Sequence, residues 1–234
     1  MKPHDVIKYL ENHGIKVLFA STFGSYGTED WSPESDIDMF IIIESSNGKI
    51  NLNLDNVHMI ISTKETMNYF LNPPFIIELA FSKPIVDKIG LHEYCRNMLK
   101  DDSIVEWVLE EIISGLRIID VILENSRGAE RICGDEAIGI VNILKWALSL
   151  IENRRITKKE IVERVEKLAS TSLAPFIDQH KARKNRSGRK IIVDLEACRR
   201  VLLVLKSMLI DAKDKLQGRL KKHHNSIADK NSIS

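Results

Sequence analysis

The stretch that decides the fold is VLFASTFGS, residues 17–25, together with DIDMFIII, residues 36–43. Each half contains a run of apolar residues, which is typical of a buried strand. Gly24 closes the first run, and an Asp-x-Asp triplet opens the second. The sequence therefore predicts two strands, with a glycine turn at the end of one and two carboxylates at the start of the next.

The two carboxylates of the triplet, Asp36 and Asp38, should point to the same face, because side chains alternate along a strand. Like charges this close repel each other unless a cation lies between them. The turn at Gly24 and Ser25 can offer backbone N–H groups and a hydroxyl to phosphate oxygens. The pattern predicts a site for a cation bound to a triphosphate. The alternative is a loop Gly-Ser and a solvated Asp pair.

This arrangement resembles the nucleotidyltransferase superfamily that includes DNA polymerase beta. The signature of that family is a Gly-Ser pair, about ten further residues and then Asp-x-Asp. Here Gly24-Ser25 and Asp36-Ile37-Asp38 stand at that spacing. The run from Ser35 to Asp38 is close to that of the minimal nucleotidyltransferases, which often carry a helical domain behind the catalytic one. The resemblance covers residues 1 to about 90.

The resemblance implies transfer of a nucleoside monophosphate from an NTP such as ATP to an acceptor hydroxyl, with release of pyrophosphate. Two Mg²⁺ ions, or Mn²⁺ in their place, would assist the transfer. Asp36 and Asp38 would hold the metal, and Gly24, Ser25 and Ser35 would contact the nucleotide. The acceptor could be a small molecule such as an aminoglycoside, an RNA 3′ end or a protein side chain. An oligomer is compatible with the sequence, and no membrane partner is expected.

The family usually adds a third carboxylate from the next strand, and this sequence departs from that pattern. The predicted third strand, Val57 to Ile61, has no acidic residue. The nearest candidates are Asp55, just before the strand, and His58, within it. We expect Asp55 to be the third catalytic carboxylate. A histidine among apolar residues is more often a hydrogen-bonded structural group than a ligand of Mg²⁺.

The hydrophobic period divides the chain into three predicted segments. Residues 1–100 alternate helices and strands, which predicts an α/β domain with a mixed nucleotidyltransferase-like sheet and flanking helices. Within it, a helix should begin at Thr63 and break at Pro73-Pro74. Residues 101–220 show four amphipathic stripes, which predict an all-α helical bundle. Its helices are expected to start at Ser103, Asp135, Thr157 and Asp194. Residues 221–234 are predicted as a polar tail.

Composition limits the classes of function. The 234 residues are 44% hydrophobic and 29% charged, as in a globular protein without membrane-spanning segments. The net charge of +1 provides no general attraction to nucleic acid, so such a contact would need a local patch. The three cysteines, far apart in sequence, indicate a reducing interior. The start of the chain does not have the pattern of a signal sequence, so we expect a cytoplasmic location.

One basic segment offers such a patch. The run from Gln179 to Lys190 contains six Lys and Arg residues, with no acid between Asp178 and Asp194. Its Asn, Ser and Gly residues predict a loop. The loop is either a solvated connection between two helices or a phosphate clamp for the triphosphate or an RNA acceptor. Runs of charged residues are usually just solvated surface.

The leading hypothesis is thus a metal-dependent nucleotidyltransferase. The runner-up is a nucleotide-binding, antitoxin-like interaction module that has lost turnover. The missing carboxylate on the third strand is the feature that separates them.

Overall fold

The computed structural model of the chain describes residues 2–24, 26, 37–45, 57–125, 128–184 and 191–231. The chain divides into two units, Met1–Ile104 and Val105–Ser234. The first contains every strand of the described residues, and the second consists of helices. The predicted combination of a mixed sheet with flanking helices and a following helical bundle is confirmed.

Four strands form the sheet of the first unit. They are β1 Val17–Phe23, β2 Ile37–Ile43, β3 Val57–Thr63 and β4 Pro84–Asp87. Their order across the sheet is β3-β2-β1-β4. Strand β1 is antiparallel to β2 and β4, while β2 and β3 are parallel. The parallel pairing brings the first residues of β2 and β3 to the same end of the sheet.

Helices cover both faces of this sheet. The helices are α1 Pro3–Asn12, α2 Pro73–Ala80 and α3 Leu91–Met98. Helix α1 packs its apolar side on Met39 and Ile41, while the Phe75 ring of α2 lies 4.8 Å from the Phe40 ring. Because side chains alternate along β2, Asp38 shares the face of Phe40. The carboxylate therefore lies at the end of the face that α2 covers.

The helix expected from Thr63 to Pro73-Pro74 is wrong. Only a 3₁₀ turn, Met67–Tyr69, forms in this segment, and the two prolines begin α2 instead of ending a helix. Proline is tolerated in a first helical turn because its missing N–H would have no intrahelical partner there. Asn72 caps α2 by accepting a hydrogen bond from the Phe75 N–H.

Among the described residues, five helices make up the second unit, and the first of them begins just before the unit boundary. They are α4 Asp102–Glu124, α5 Ala129–Glu152, α6 Lys158–Ala169, α7 Ala174–Lys184 and α8 Leu195–Asn231. Gly115 brings α4 close to its neighbours, since a Cβ there would lie 3.2 Å from Leu209 and 3.3 Å from Ile143. Residues 221–231, expected as a separate tail, continue α8.

The predicted helix starts are correct in part. The capping box at Thr157 and Glu160 forms, and Asp194 accepts a hydrogen bond at the start of α8. At α4 the capping side chain is Asp101, which accepts from the Ser103 N–H, so Ser103 is not the cap. Asp135 does not begin α5, which starts six residues earlier at Ala129.

Asp135 instead binds α7. Its carboxylate lies 3.0 Å from His180 Nδ1 and 2.5 Å from Arg183 Nη1. The neighbouring Gln179 is 2% exposed; it accepts from the Gly134 N–H and donates to two backbone carbonyls. Residues 179–184 are the end of α7, so this part of the predicted loop is helical. Residues 185–190 lie outside the described part of the chain.

The cysteines also differ from expectation. Cys133 of α5 and Cys198 of α8 form a disulfide, with their Cα atoms 6.2 Å apart. Only Cys95 is a free thiol, and burial raises its pKa to about 12. The inference of a reducing interior is therefore not supported, because two cysteines that are far apart in sequence are in contact in the folded chain. Across the described residues, no helix has the length and apolar content to cross a membrane.

Candidate functional site

The site begins where β1 ends beside the start of β2. Phe23, the last residue of β1, pairs with Asp38 in the antiparallel register. Gly24 follows with φ +65°, a left-handed conformation that side chains other than glycine rarely adopt. A Cβ at this position would lie 2.5 Å from Asp38 Oδ2. Both the backbone conformation and the close carboxylate therefore require glycine here.

The third strand brings a histidine to the same place. In the parallel register of β2 and β3, Asp38 pairs with His58. His58 Nδ1 lies 3.7 Å from Asp38 Oδ1, and the two side chains are 70% and 34% exposed. His58 is thus a surface residue next to the carboxylate. The expectation from the sequence, a hydrogen-bonded structural group, stays a prediction.

Aromatic packing holds the strand ends that carry these groups. The Phe75 ring of α2 contacts Phe40 edge-on and also Phe23, at 5.3 Å between ring centroids. Phe23 lies directly before Gly24, and Phe40 lies two residues after Asp38. One ring of α2 therefore packs against both strands of the site, β1 through Phe23 and β2 through Phe40. This packing stabilises the relative position of Gly24 and Asp38.

The geometry fits a divalent cation at Asp38. The carboxylate is partly exposed, and carboxylate oxygens are the donors that Mg²⁺ and Mn²⁺ prefer. A Cβ on Gly24 would collide with Asp38 Oδ2, so glycine at this position lets the carboxylate keep its place. Asp38 and His58 alone do not complete a metal site, and no group of three candidate ligands occurs among the described residues.

Part of the predicted site lies outside the described residues. Ser25, Ser35, Asp36 and Asp55 belong to this part, and their roles stay predictions. Of the remaining candidates, Gly24 and Asp38 are brought together. The position of His58 beside Asp38 could not be predicted from sequence, because the register between β2 and β3 has no local signal in either strand.

The family model described as "Polymerase beta, Nucleotidyltransferase" matches residues 4–82, which include the glycine turn, the Asp-x-Asp triplet and β3. The match confirms the resemblance found in the sequence. No curated protein sequence matches the chain.

Two solved structures are similar at low sequence identity. The spectinomycin adenyltransferase AAD(9) from Enterococcus faecialis, solved with ATP and spectinomycin, is 16% identical with a TM-score of 0.40. The match covers 86% of this chain and 94% of that one. A nucleotidyltransferase-like protein from Exiguobacterium sibiricum 255-15 is 12% identical with a TM-score of 0.36, covering 94% and 79%.

Proposed function

We propose that the protein transfers a nucleoside monophosphate from an NTP to an acceptor hydroxyl, because residues 4–82 match the family model of the polymerase beta nucleotidyltransferases. The observation that carries the proposal is the close approach of the Asp38 carboxylate to Gly24, where an added Cβ would lie 2.5 Å from Oδ2. This approach supports a turn suited to phosphate beside a group suited to a cation. The domain match supports the chemistry, and the approach of Asp38 to Gly24 supports its location in this chain.

In the proposed reaction, the acceptor oxygen forms a bond to the α-phosphorus of the NTP. The α–β phosphoanhydride bond breaks, and pyrophosphate leaves. Bound divalent ions would neutralise the phosphate charge and lower the pKa of the acceptor hydroxyl. Asp38 and, by the alternation of side chains along a strand, Asp36 supply the negative charge that holds these ions.

The remaining side chains position the substrates. Gly24 keeps the backbone close to the carboxylate, and Ser25 and Ser35 are the proposed hydroxyl contacts to the nucleotide. Asp55 is the proposed carboxylate that helps to activate the acceptor. Its role would be felt mainly in the transition state, because the triphosphate is held by the other residues.

The acceptor belongs to one of three chemical classes: a small molecule with hydroxyl groups, such as an aminoglycoside, an RNA 3′ end or a protein side chain. The likeness to the spectinomycin adenyltransferase, at a TM-score of 0.40, does not select among them. The helical run Lys181–Lys184 offers cations for an RNA acceptor, but Arg183 is paired with Asp135. A screen of all three classes is therefore needed.

One observation favours the alternative of a nucleotide-binding module without turnover. Strand β3, which carries a carboxylate in most members of the family, presents His58 opposite Asp38. A module of this kind would bind NTP with a divalent ion and would release no pyrophosphate with any acceptor.

The proposal is tested with the four NTPs labelled at the α-phosphate, incubated with each acceptor class and Mg²⁺ or Mn²⁺. Labelled acceptor and pyrophosphate should appear together. Asp38→Asn should weaken the binding of the Mg²⁺-NTP complex by at least about tenfold, because the cation loses a charged ligand. Calorimetric titration measures this affinity. Unchanged affinity in both Asp38→Asn and Asp36→Asn would contradict the metal site.

A further inference from the structure

We infer that His58 is a ligand of the divalent ion held by Asp38, so that the site binds a transition ion such as Mn²⁺ in preference to Mg²⁺. The inference rests on the proposed function, since it concerns the same ion. It goes further, because it assigns a nitrogen donor to the site and predicts which metal the protein selects.

The first argument is the strand register. Asp38 and His58 are paired residues of two parallel strands, and paired residues point their side chains to the same face. Each is the second residue of its strand, so both side chains lie at the same end of the sheet. A cation bound by the carboxylate is therefore within reach of the imidazole without any change in the backbone.

The second argument is distance. His58 Nδ1 and Asp38 Oδ1 are 3.7 Å apart, which is longer than a hydrogen bond. Two donors that each lie about 2.1 Å from a shared ion are separated by roughly 3 to 4 Å. The separation thus suits an ion that bridges the two atoms better than it suits a direct contact between them.

The third argument is exposure. The His58 side chain is 70% exposed, so the imidazole contributes little to the core. An ion pair this exposed also stabilises a fold very little. This exposure leaves the imidazole accessible to an ion, as a ligand has to be.

The chemistry of the donors then sets the metal preference. Mg²⁺ prefers oxygen ligands and retains much of its water, whereas transition ions accept imidazole nitrogen readily. A third carboxylate would favour Mg²⁺ at this place. One imidazole with carboxylates favours Mn²⁺ or Co²⁺, so His58 would change the selectivity of the site without changing the reaction.

Pulsed EPR of Mn²⁺ bound to the full-length protein tests the inference directly. Inorganic triphosphate replaces the NTP, because it has no nitrogen that could couple to the ion. The wild-type protein should show a ¹⁴N coupling that becomes a ¹⁵N coupling when only histidine is labelled with ¹⁵N. This comparison needs no substitution, so it does not depend on the folding of a variant.

Variants then identify the histidine. His58→Gln should remove the nitrogen coupling and weaken Mn²⁺ binding on the order of tenfold, with a smaller effect on Mg²⁺. His13→Gln is the matched control, because His13 is also an exposed histidine of the first unit, with Nδ1 2.8 Å from the Tyr9 carbonyl oxygen. That control, and Asp55→Asn, should both leave the coupling unchanged.

Two results would overturn the inference, and they separate it from the proposed function. If Mn²⁺ binds, and Asp38→Asn prevents this binding, but no histidine coupling appears, His58 is not a ligand and the proposed function stands. If the wild-type protein binds no Mn²⁺ with triphosphate, both the inference and the proposed function fail.

Discussion

Gly24 combines two constraints that can be separated by experiment. Its φ of +65° strains any residue with a Cβ, and its position against Asp38 leaves no space for one. Gly14 has a similar φ of +74°, but beyond its own chain neighbours no atom of the described residues lies within 4 Å of its Cβ position. The two glycines are therefore a matched pair, in which only Gly24 touches the site.

Gly14→Ala and Gly24→Ala should each lower the free energy of unfolding by about 1 to 2 kcal/mol through backbone strain. Only Gly24→Ala should also weaken NTP binding, because its methyl group displaces the carboxylate of Asp38. Urea unfolding and calorimetric titration of both variants measure the two effects. Equal NTP affinity in the two variants would show that the turn does not support the nucleotide site.

Asp55 is the residue on which turnover should depend. Asp55→Asn is expected to lower the rate of transfer on the order of 100-fold while NTP binding stays nearly unchanged. The reason is that activation of the acceptor is felt in the transition state and not in the bound nucleotide. Single-turnover assays alongside equilibrium titration measure both quantities. An equal loss of binding would place Asp55 among the residues that hold the triphosphate.

At the scale of elements, the start of α6 shows a cap that depends on pH. Glu160 accepts from the Thr157 N–H at 2.7 Å and pairs with Arg154 at 2.8 Å. Burial would raise the pKa of Glu160, but the bond from Thr157 and the Arg154 guanidinium outweigh it and lower the pKa. A lowered pKa means that the stabilisation exists above the ordinary glutamate range and disappears as pH falls through the folded-state pKa.

Glu160→Gln should therefore cost about 1 kcal/mol of unfolding free energy at pH 7. The cost should shrink as pH falls below the usual glutamate pKa of about 4.3. Urea unfolding at several pH values measures the trend, and the exposed Glu163→Gln on the same helix is the control. A cost that is independent of pH would mean that the carboxylate charge does not contribute to the cap.

The sequence correctly predicted the elements that a local pattern is sufficient to determine. The apolar run of β2 predicted Ile37–Ile43 with the bounds observed, and Thr157 with Glu160 predicted the start of α6. The sequence could not show that Asp135 pairs with His180 and Arg183 of α7, because these partners lie more than 40 positions away. Its carboxylate was equally suited to a helix cap.

The same limit applies to the site. The Gly-Ser and Asp-x-Asp spacing predicted the glycine turn and the carboxylates at one site, and Gly24 and Asp38 do lie close together because β1 and β2 pair. The position of His58 depends on the parallel register of β2 and β3, which sequence alternation restricts to every second residue but does not determine. A shift by one residue would have turned His58 to the opposite face of the sheet.

For the whole molecule, the described part of the candidate site belongs to the first unit. Gly24, Asp38 and His58 all lie within Met1–Ile104. The predicted boundary between catalytic and helical domains at residue 100 stays a prediction. In the second unit, the first turns of α5 hold three other segments: α7 through Gln179, the chain at Val193 through the Glu130 carbonyl, and α8 through the disulfide.

The Cys133–Cys198 disulfide makes a covalent ring of everything between its two cysteines, which are 65 positions apart and enclose residues 185–190. A peptide bond cut inside that ring opens it without dividing the molecule. Trypsin, cutting after Arg186, Arg189 or Lys190, should thus leave one band at full mass on a non-reducing gel. Two fragments should appear only after a thiol is added. Cys198→Ser should release them without a reductant, and release from the wild-type protein without one would mean that the ring does not exist.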